Sequence, residues 1–230
     1  MSSDNLARYG AATGIVFVIA VIVGFAIVVP TPPDTDSSAA TFARYYSNHQ
    51  DAIRAGLTIL GVGIFFFIWF LGSLRGALAT AEGGTARLSS VAYGAGLVAT
   101  AFFVVGLAAG LTAAYRPDEV DPGLTRALND FFAVIGAPAA GAFVAFFAAT
   151  ALVGFRHGAL PGWAAGLSAI AAIGQVPAIG TALTTTGAFA ADGALGLFIP
   201  VITFVVGLLA ISIALVRNPV PGAATTRSTT

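Results

Sequence analysis

Residues 55–73 read AGLTILGVGIFFFIWFLGS, a run without Asp, Glu, Arg or His. A helix needs about 20 mainly apolar residues to cross the hydrocarbon core of a bilayer, where only a helix or a closed barrel can satisfy its own backbone. Five further segments meet the same requirement: 11–29, 89–114, 131–155, 163–183 and 194–216. The fifth of the six spans, 163–183, is the weakest, because Gln175 and Pro177 interrupt it and Ala supplies most of its apolar content. Five spans are the main competitor. The expected fold is therefore all-α, a polytopic bundle of six transmembrane helices forming one unit over residues 1–217. Residues 218–230, rich in Pro, Ser and Thr, read as a disordered tail.

The composition of the whole chain agrees. Of 230 residues, 57% are apolar and 9% charged, against about 25% charged in an ordinary soluble domain. Mean hydropathy is +0.92. Cys is absent, and every basic residue is Arg. Disulfides, thiol nucleophiles, thiolate metal sites, Schiff-base chemistry and a phosphate-loop lysine are excluded. No basic excess exists to hold nucleic acid.

The first span is too long for a signal-peptide core of about 7–15 residues. The small residues Ser38-Ala39-Ala40 also lie beyond Pro30, Pro32 and Pro33, far from a natural cleavage position. It reads as an uncleaved helix.

With the N-terminus inside, Arg8, Arg75, Arg87, Arg156, Arg217 and Arg227 fall on the inner side and Arg44, Arg54, Arg116 and Arg126 on the outer. Cytoplasmic loops carry the Arg excess, so both termini are expected in the cytoplasm. Against these charges the inner side sets only Asp4 and Glu82. The outer side sets Asp34, Asp36, Asp51, Asp118, Glu119, Asp121, Asp130 and Asp192. The neutral total thus divides into +4 inside and −4 outside. Trp69, Trp163, Tyr9, Tyr93 and Tyr115 sit near span ends, where aromatic belts form.

The longest connection, from Pro30 to Arg54, opens with a Pro-acidic cluster. Phe42, Tyr45, Tyr46, His49 and Ile53 then recur at helical spacing, predicting an amphipathic outer helix over about 38–52 that bends into the second span. In the second outer loop, Asp121 reads as an N-cap with Pro122 at the first helical position, so the fourth helix should begin about two turns before its span.

Candidate chemistry is sparse. Ser47, His49 and Asp51 resemble a compressed catalytic triad, but on a helix residues two apart point about 200° from each other. His49 and His157 fall on opposite sides and cannot share a haem or a metal. The outer carboxylates could supply oxygens to a hard cation, although solvated loop acids are the ordinary reading. No cofactor, metal or catalytic residue is expected. Inside the membrane the strongest polar group is Gln175, either interhelical glue or a site residue. Pro138, Pro177 and Pro200 lie at a shared depth of roughly 10 Å from the outer ends of spans four, five and six. Helices kinked at one level can open a vestibule. The candidate cavity residues are therefore Gln175, Pro177, Pro138, Pro200, Tyr46 and His49.

Three stretches carry a resemblance: Arg8 before the first span, Tyr45-Tyr46-x-Asn48-His49 leading to a second closed by Arg75, and Val153-Gly-Phe-Arg156-x-Gly158-x-Leu160-Pro161-Gly162-Trp163 followed by Gly166. The pattern resembles the bacterial six-helix membrane family known as a domain of unknown function, type 4386. The resemblance implies a fold only, and no activity, substrate or catalytic residue. The lysine-free, Ala-, Gly- and Arg-rich composition is what a GC-rich bacterial genome would encode.

The leading expectation is a non-enzymatic membrane protein that packs in the lipid bilayer with itself or a partner membrane protein. The alternative is a carrier or sensor for a small lipophilic ligand, with an outer-leaflet vestibule near Gln175. An intramembrane enzyme is weaker, since no acid, base or nucleophile converges.

Overall fold

The computed structural model describes residues 3–28 and 32–218. Pro30, Thr31, Arg227 and the expected disordered tail beyond Asn218 lie outside the described residues. Eight α-helices run in order: α1 (Ser3–Val28), α2 (Ala39–Asn48), α3 (Gln50–Glu82), α4 (Arg87–Tyr115), α5 (Pro122–Val134), α6 (Gly136–His157), α7 (Gly162–Gln175) and α8 (Ile199–Arg217). A 3₁₀ segment, Val176–Leu183, continues α7, and a π turn, Ala194–Phe198, leads into α8. No strand occurs among the described residues. Six of these units are long and apolar enough to cross a membrane, and the chain is a multi-pass membrane protein.

Local chemistry sets the helix ends. Ser38 Oγ accepts the Thr41 N–H at 3.2 Å to start α2. Asp121 Oδ1 accepts the Gly123 N–H at 2.8 Å to start α5, with Pro122 at the position where a missing N–H costs nothing. The sequence-predicted outer helix over 38–52 is divided in two. His49 breaks it at φ −120°, and α3 starts at Gln50. Beyond α4, Gln50 Nε2 donates to the carbonyls of Ala114 and Tyr115 at 3.2 and 3.1 Å, closing that helix's C-terminus. At its other end the carboxylate of Glu82 accepts the N–H groups of Leu88 and Ser89, both at 2.8 Å. This Glu does the work of a cap where the chain has only Ala86, held in the left-handed region at φ 48°.

The spans follow one another round a closed ring. Helix α1 packs on α3, α3 on α4, α4 on α6, α6 on α7, α7 on α8, and α8 returns to α1. The start of α1 and the end of α8 lie on one face, termed proximal, where Gly10 meets Ser73 and Gly14 meets Ser212. The opposite, distal face carries α2, α5 and the 184–193 loop. Small residues permit the tightest approaches. A Cβ on Gly14 would stand 2.7 Å from Phe70 Cδ2, and one on Gly56 would stand 2.7 Å from the Gly24 carbonyl oxygen.

Half of the ring is solid. Phe17 of α1, Phe67 and Phe70 of α3, Phe143, Phe146 and Phe147 of α6, and Phe204 of α8 interlock across it. Ring centroids lie 4.6 Å apart for Phe17–Phe67 and 4.8 Å for both Phe143–Phe204 and Phe146–Phe147. Edge-on contacts suit the ring quadrupole. On the proximal side of these rings Leu71, Leu74, Leu78, Leu208 and Ile211 are buried to within 2%. The distal half is not filled.

Candidate functional site

Each of the three intramembrane prolines marks an irregular helix, for the reason proline always does: no N–H, and a ring that crowds the preceding turn. The N–H that Pro138 lacks would have reached residue 134, and α5 ends at Val134. Pro177 turns α7 into the 3₁₀ segment. Pro200 follows the π turn. The expected kinks are present, but the prolines do not share one face. Only Pro200 is buried against the interior. Pro138 is exposed on the outside of the bundle and Pro177 half-buried, and neither borders the space that opens.

That space is a pair of connected chambers inside the distal half of the ring. The upper has a volume of about 340 Å³ and is bordered by every span and by α2. The lower, about 130 Å³, reaches down to the phenylalanine layer, among Phe17, Phe25, Phe67, Phe103, Phe143 and Phe204. Gln175 and Pro200 line both chambers and form the neck between them. Tyr46 lines the upper one. His49 lies outside: its ring stacks on Tyr45 with centroids 4.8 Å apart and Nδ1 stands 3.0 Å from the Tyr45 carbonyl oxygen. The triad-like group is dispersed, since Ser47 Oγ donates instead to Asp118 at 2.7 Å. Among the described residues no three acids or histidines come together as a metal site.

Gln175 ties two spans together and also borders both chambers. Its Nε2 donates to the Pro200 carbonyl at 2.7 Å and to Thr203 Oγ1 at 3.4 Å, tying α7 to α8. A carbonyl can only accept, so the amide orientation follows from its partner. Oε1 is left as an acceptor toward the chambers. The hydroxyls nearby are spent in the opposite sense: Thr100 donates to the Gly96 carbonyl at 2.7 Å, Thr181 to Ala178 at 2.9 Å and Tyr45 to Val28 at 2.8 Å. Tyr46 donates to Asn129 Oδ1 at 3.1 Å. Burial raises the pKa of both tyrosines, so the phenols remain protonated donors.

A clasp joins the loops around the distal mouth, a pairing with no local signal in the sequence pattern. Thr35 donates its N–H to Asp192 Oδ2 at 3.0 Å and its hydroxyl to the Thr185 carbonyl at 2.5 Å, joining the first and third distal loops. Arg126 of α5 donates to the carbonyls of Thr35, at 3.0 Å, and Ser37. Its guanidinium lies 5.5 Å over the Phe42 ring and 3.6 Å from Asp130. Asp192, Thr35, Pro32 and Pro33 border the mouth, and Asp192 is the one formally charged residue on the wall among the described residues.

The ring is also loose at one seam. Toward the distal side α1 leans on α3 at Gly24 and Gly56, while it meets α8 lower down, at Phe17–Phe204 with centroids 6.1 Å apart. Between distal α1 and the π turn there is no comparable packing. Phe25 and Val28 on one side and Leu197 and Val201 on the other border the upper chamber there.

No known protein family, curated protein or solved structure matches the chain.

Proposed function

We propose that this protein is a receptor or carrier for a small, uncharged lipophilic molecule taken from the outer leaflet of a bacterial plasma membrane. In this reading the distal face is extracellular and both termini are cytoplasmic. The Arg bias toward the proximal side and the eight acids on the distal side support that orientation. The lysine-free, Ala-, Gly- and Arg-rich composition supports the bacterial source.

The observation that carries the function is the closed ring with an unfilled distal half. A bundle serving only to pack would fill its lumen, because an empty space forfeits dispersion contacts on every wall atom. Here large aromatic side chains fill one half completely, and the other half holds about 340 Å³ and about 130 Å³ in two chambers. Sites for small molecules are of this kind, mostly apolar with a few placed polar groups. The seam beside α1 gives a membrane-dissolved molecule a route that avoids water.

The test is a titration with 1-aminonaphthalene, an environment-sensitive apolar fluorophore, of the protein in lipid nanodiscs. Saturable binding above that of empty nanodiscs is expected, and Ala139→Phe, which fills the upper chamber, should abolish it. Absence of saturable binding, or binding that ignores the filled chamber, refutes the proposal. The packing expectation would then stand as the better account.

A further inference from the structure

The lower chamber has a size and a polarity of its own, and both limit what it takes. Its volume, about 130 Å³, is near that of an engineered cavity of about 150 Å³ that binds benzene. Six phenylalanines surround it, a wall that favours an aromatic guest through edge-on contacts. Two polar side chains reach it, Thr100 and Gln175. The hydroxyl proton of Thr100 is committed to Gly96, and the Nε2 protons of Gln175 to Pro200 and Thr203. What these groups offer an occupant is acceptor oxygen. Above the neck Tyr45, Tyr46 and Thr181 have likewise turned their protons onto protein oxygens. No cation lines either chamber among the described residues: Arg126, in the clasp at the mouth, is taken up by two carbonyls and by Asp130, and the mouth itself carries Asp192. An anion would be desolvated there without a partner.

We infer that the lower chamber and Gln175 form a site for an uncharged ring bearing an O–H donor, phenol being its smallest member. The ring occupies the phenylalanine chamber and its hydroxyl donates to Gln175 Oε1. A longer ligand extends its remainder through the neck into the upper chamber. This assignment rests on the ligand-binding reading above and specifies the ligand's chemistry.

Four fluorinated probes separate the possibilities: 4-fluorophenol, 4-fluoroanisole, fluorobenzene and 4-fluorobenzoate. Binding is read by fluorine NMR with the protein in nanodiscs, against empty nanodiscs. One neutral hydrogen bond should make the phenol roughly three- to tenfold tighter than the anisole, with fluorobenzene near the anisole and no binding of the benzoate. Gln175→Met should bring the phenol down to the anisole's level. Val21→Phe, which fills the lower chamber and leaves Gln175 in place, should remove all three neutral rings. Equal binding of phenol and anisole overturns the donor inference and leaves the cavity reading intact. If no ring binds above empty nanodiscs, both fail.

Discussion

Replacing Gln175 by Met tests the polar joint between the fifth and sixth spans, because the two side chains are similar in length and only the amide is lost. The wild-type amide makes one short bond, 2.7 Å to the Pro200 carbonyl, and one long one, 3.4 Å to Thr203. The longer bond lies beyond the usual N–H···O range and contributes little. Thr203 is also held by its own bond to Ile199 at 2.8 Å, so it does not lose its only partner. The shorter bond is buried, and a net contribution of about 0.5–1.5 kcal/mol is typical. Interhelical polar contacts in membranes average about 0.6 kcal/mol. The favourable transfer of a thioether into the bundle offsets part of that. A loss of about 0.5 kcal/mol is therefore expected. Reversible unfolding in mixed micelles at increasing SDS fraction measures it, with Thr203→Val as the control for the long bond and an expected change of a few tenths of a kcal/mol. Unchanged or increased stability in Gln175→Met would mean that the amide does not hold the spans together.

Arg126→Gln removes donors to two loop carbonyls and the cation over Phe42. A loss of about 1–2 kcal/mol is expected, with faster amide exchange at residues 34–37 and unchanged exchange in α3. Ser212 is fully buried and its Oγ has no hydrogen-bond partner among the described residues. Ser212→Ala should leave stability unchanged or raise it by up to about 1 kcal/mol, and a clear loss in the same SDS titration would show that the hydroxyl is satisfied. The Tyr46 phenol is shielded by burial, so its proton is held to higher pH in the folded state than in the unfolded chain. Its contribution is full below the unfolded pKa near 10 and declines as pH rises above it. Tyr46→Phe should flatten the stability profile in that alkaline range and cost about 1 kcal/mol at neutral pH through the lost bond to Asn129.

The spans were legible because the bilayer demands a length and an apolar content that few other structures need, and even 163–183 obeys despite Gln175. The cap at Asp121 was legible for a similarly local reason. The wall of the site was legible only in part. Depth along a span can be counted from its end, which brought Pro138, Pro177 and Pro200 to one level. Rotation about the axis advances about 100° per residue and depends on which helices are neighbours, so the shared level did not imply a shared face. Lateral order is absent from a hydropathy pattern, and with it the ring. Asp192 is the only charged residue in its loop, and its partner Thr35 is 157 positions away in the chain. The phenylalanines were visible as mid-span residues, but nothing local distinguishes those that interlock from those that face lipid. Phe65, for example, is 60% exposed while Phe67 is buried.

The natural chain contains no cysteine, so single thiols can be placed on a clean background. In sealed right-side-out vesicles, Thr181→Cys on the upper chamber wall and Ser168→Cys in the filled half of α7 are each exposed to a membrane-impermeant methanethiosulfonate cation. The account predicts modification of Thr181→Cys from outside, slowed by bound 1-aminonaphthalene, with Ser168→Cys protected. Protection of both, or reaction of Thr181→Cys only after the cytoplasmic side is opened, would contradict an outward-facing cavity in this ring.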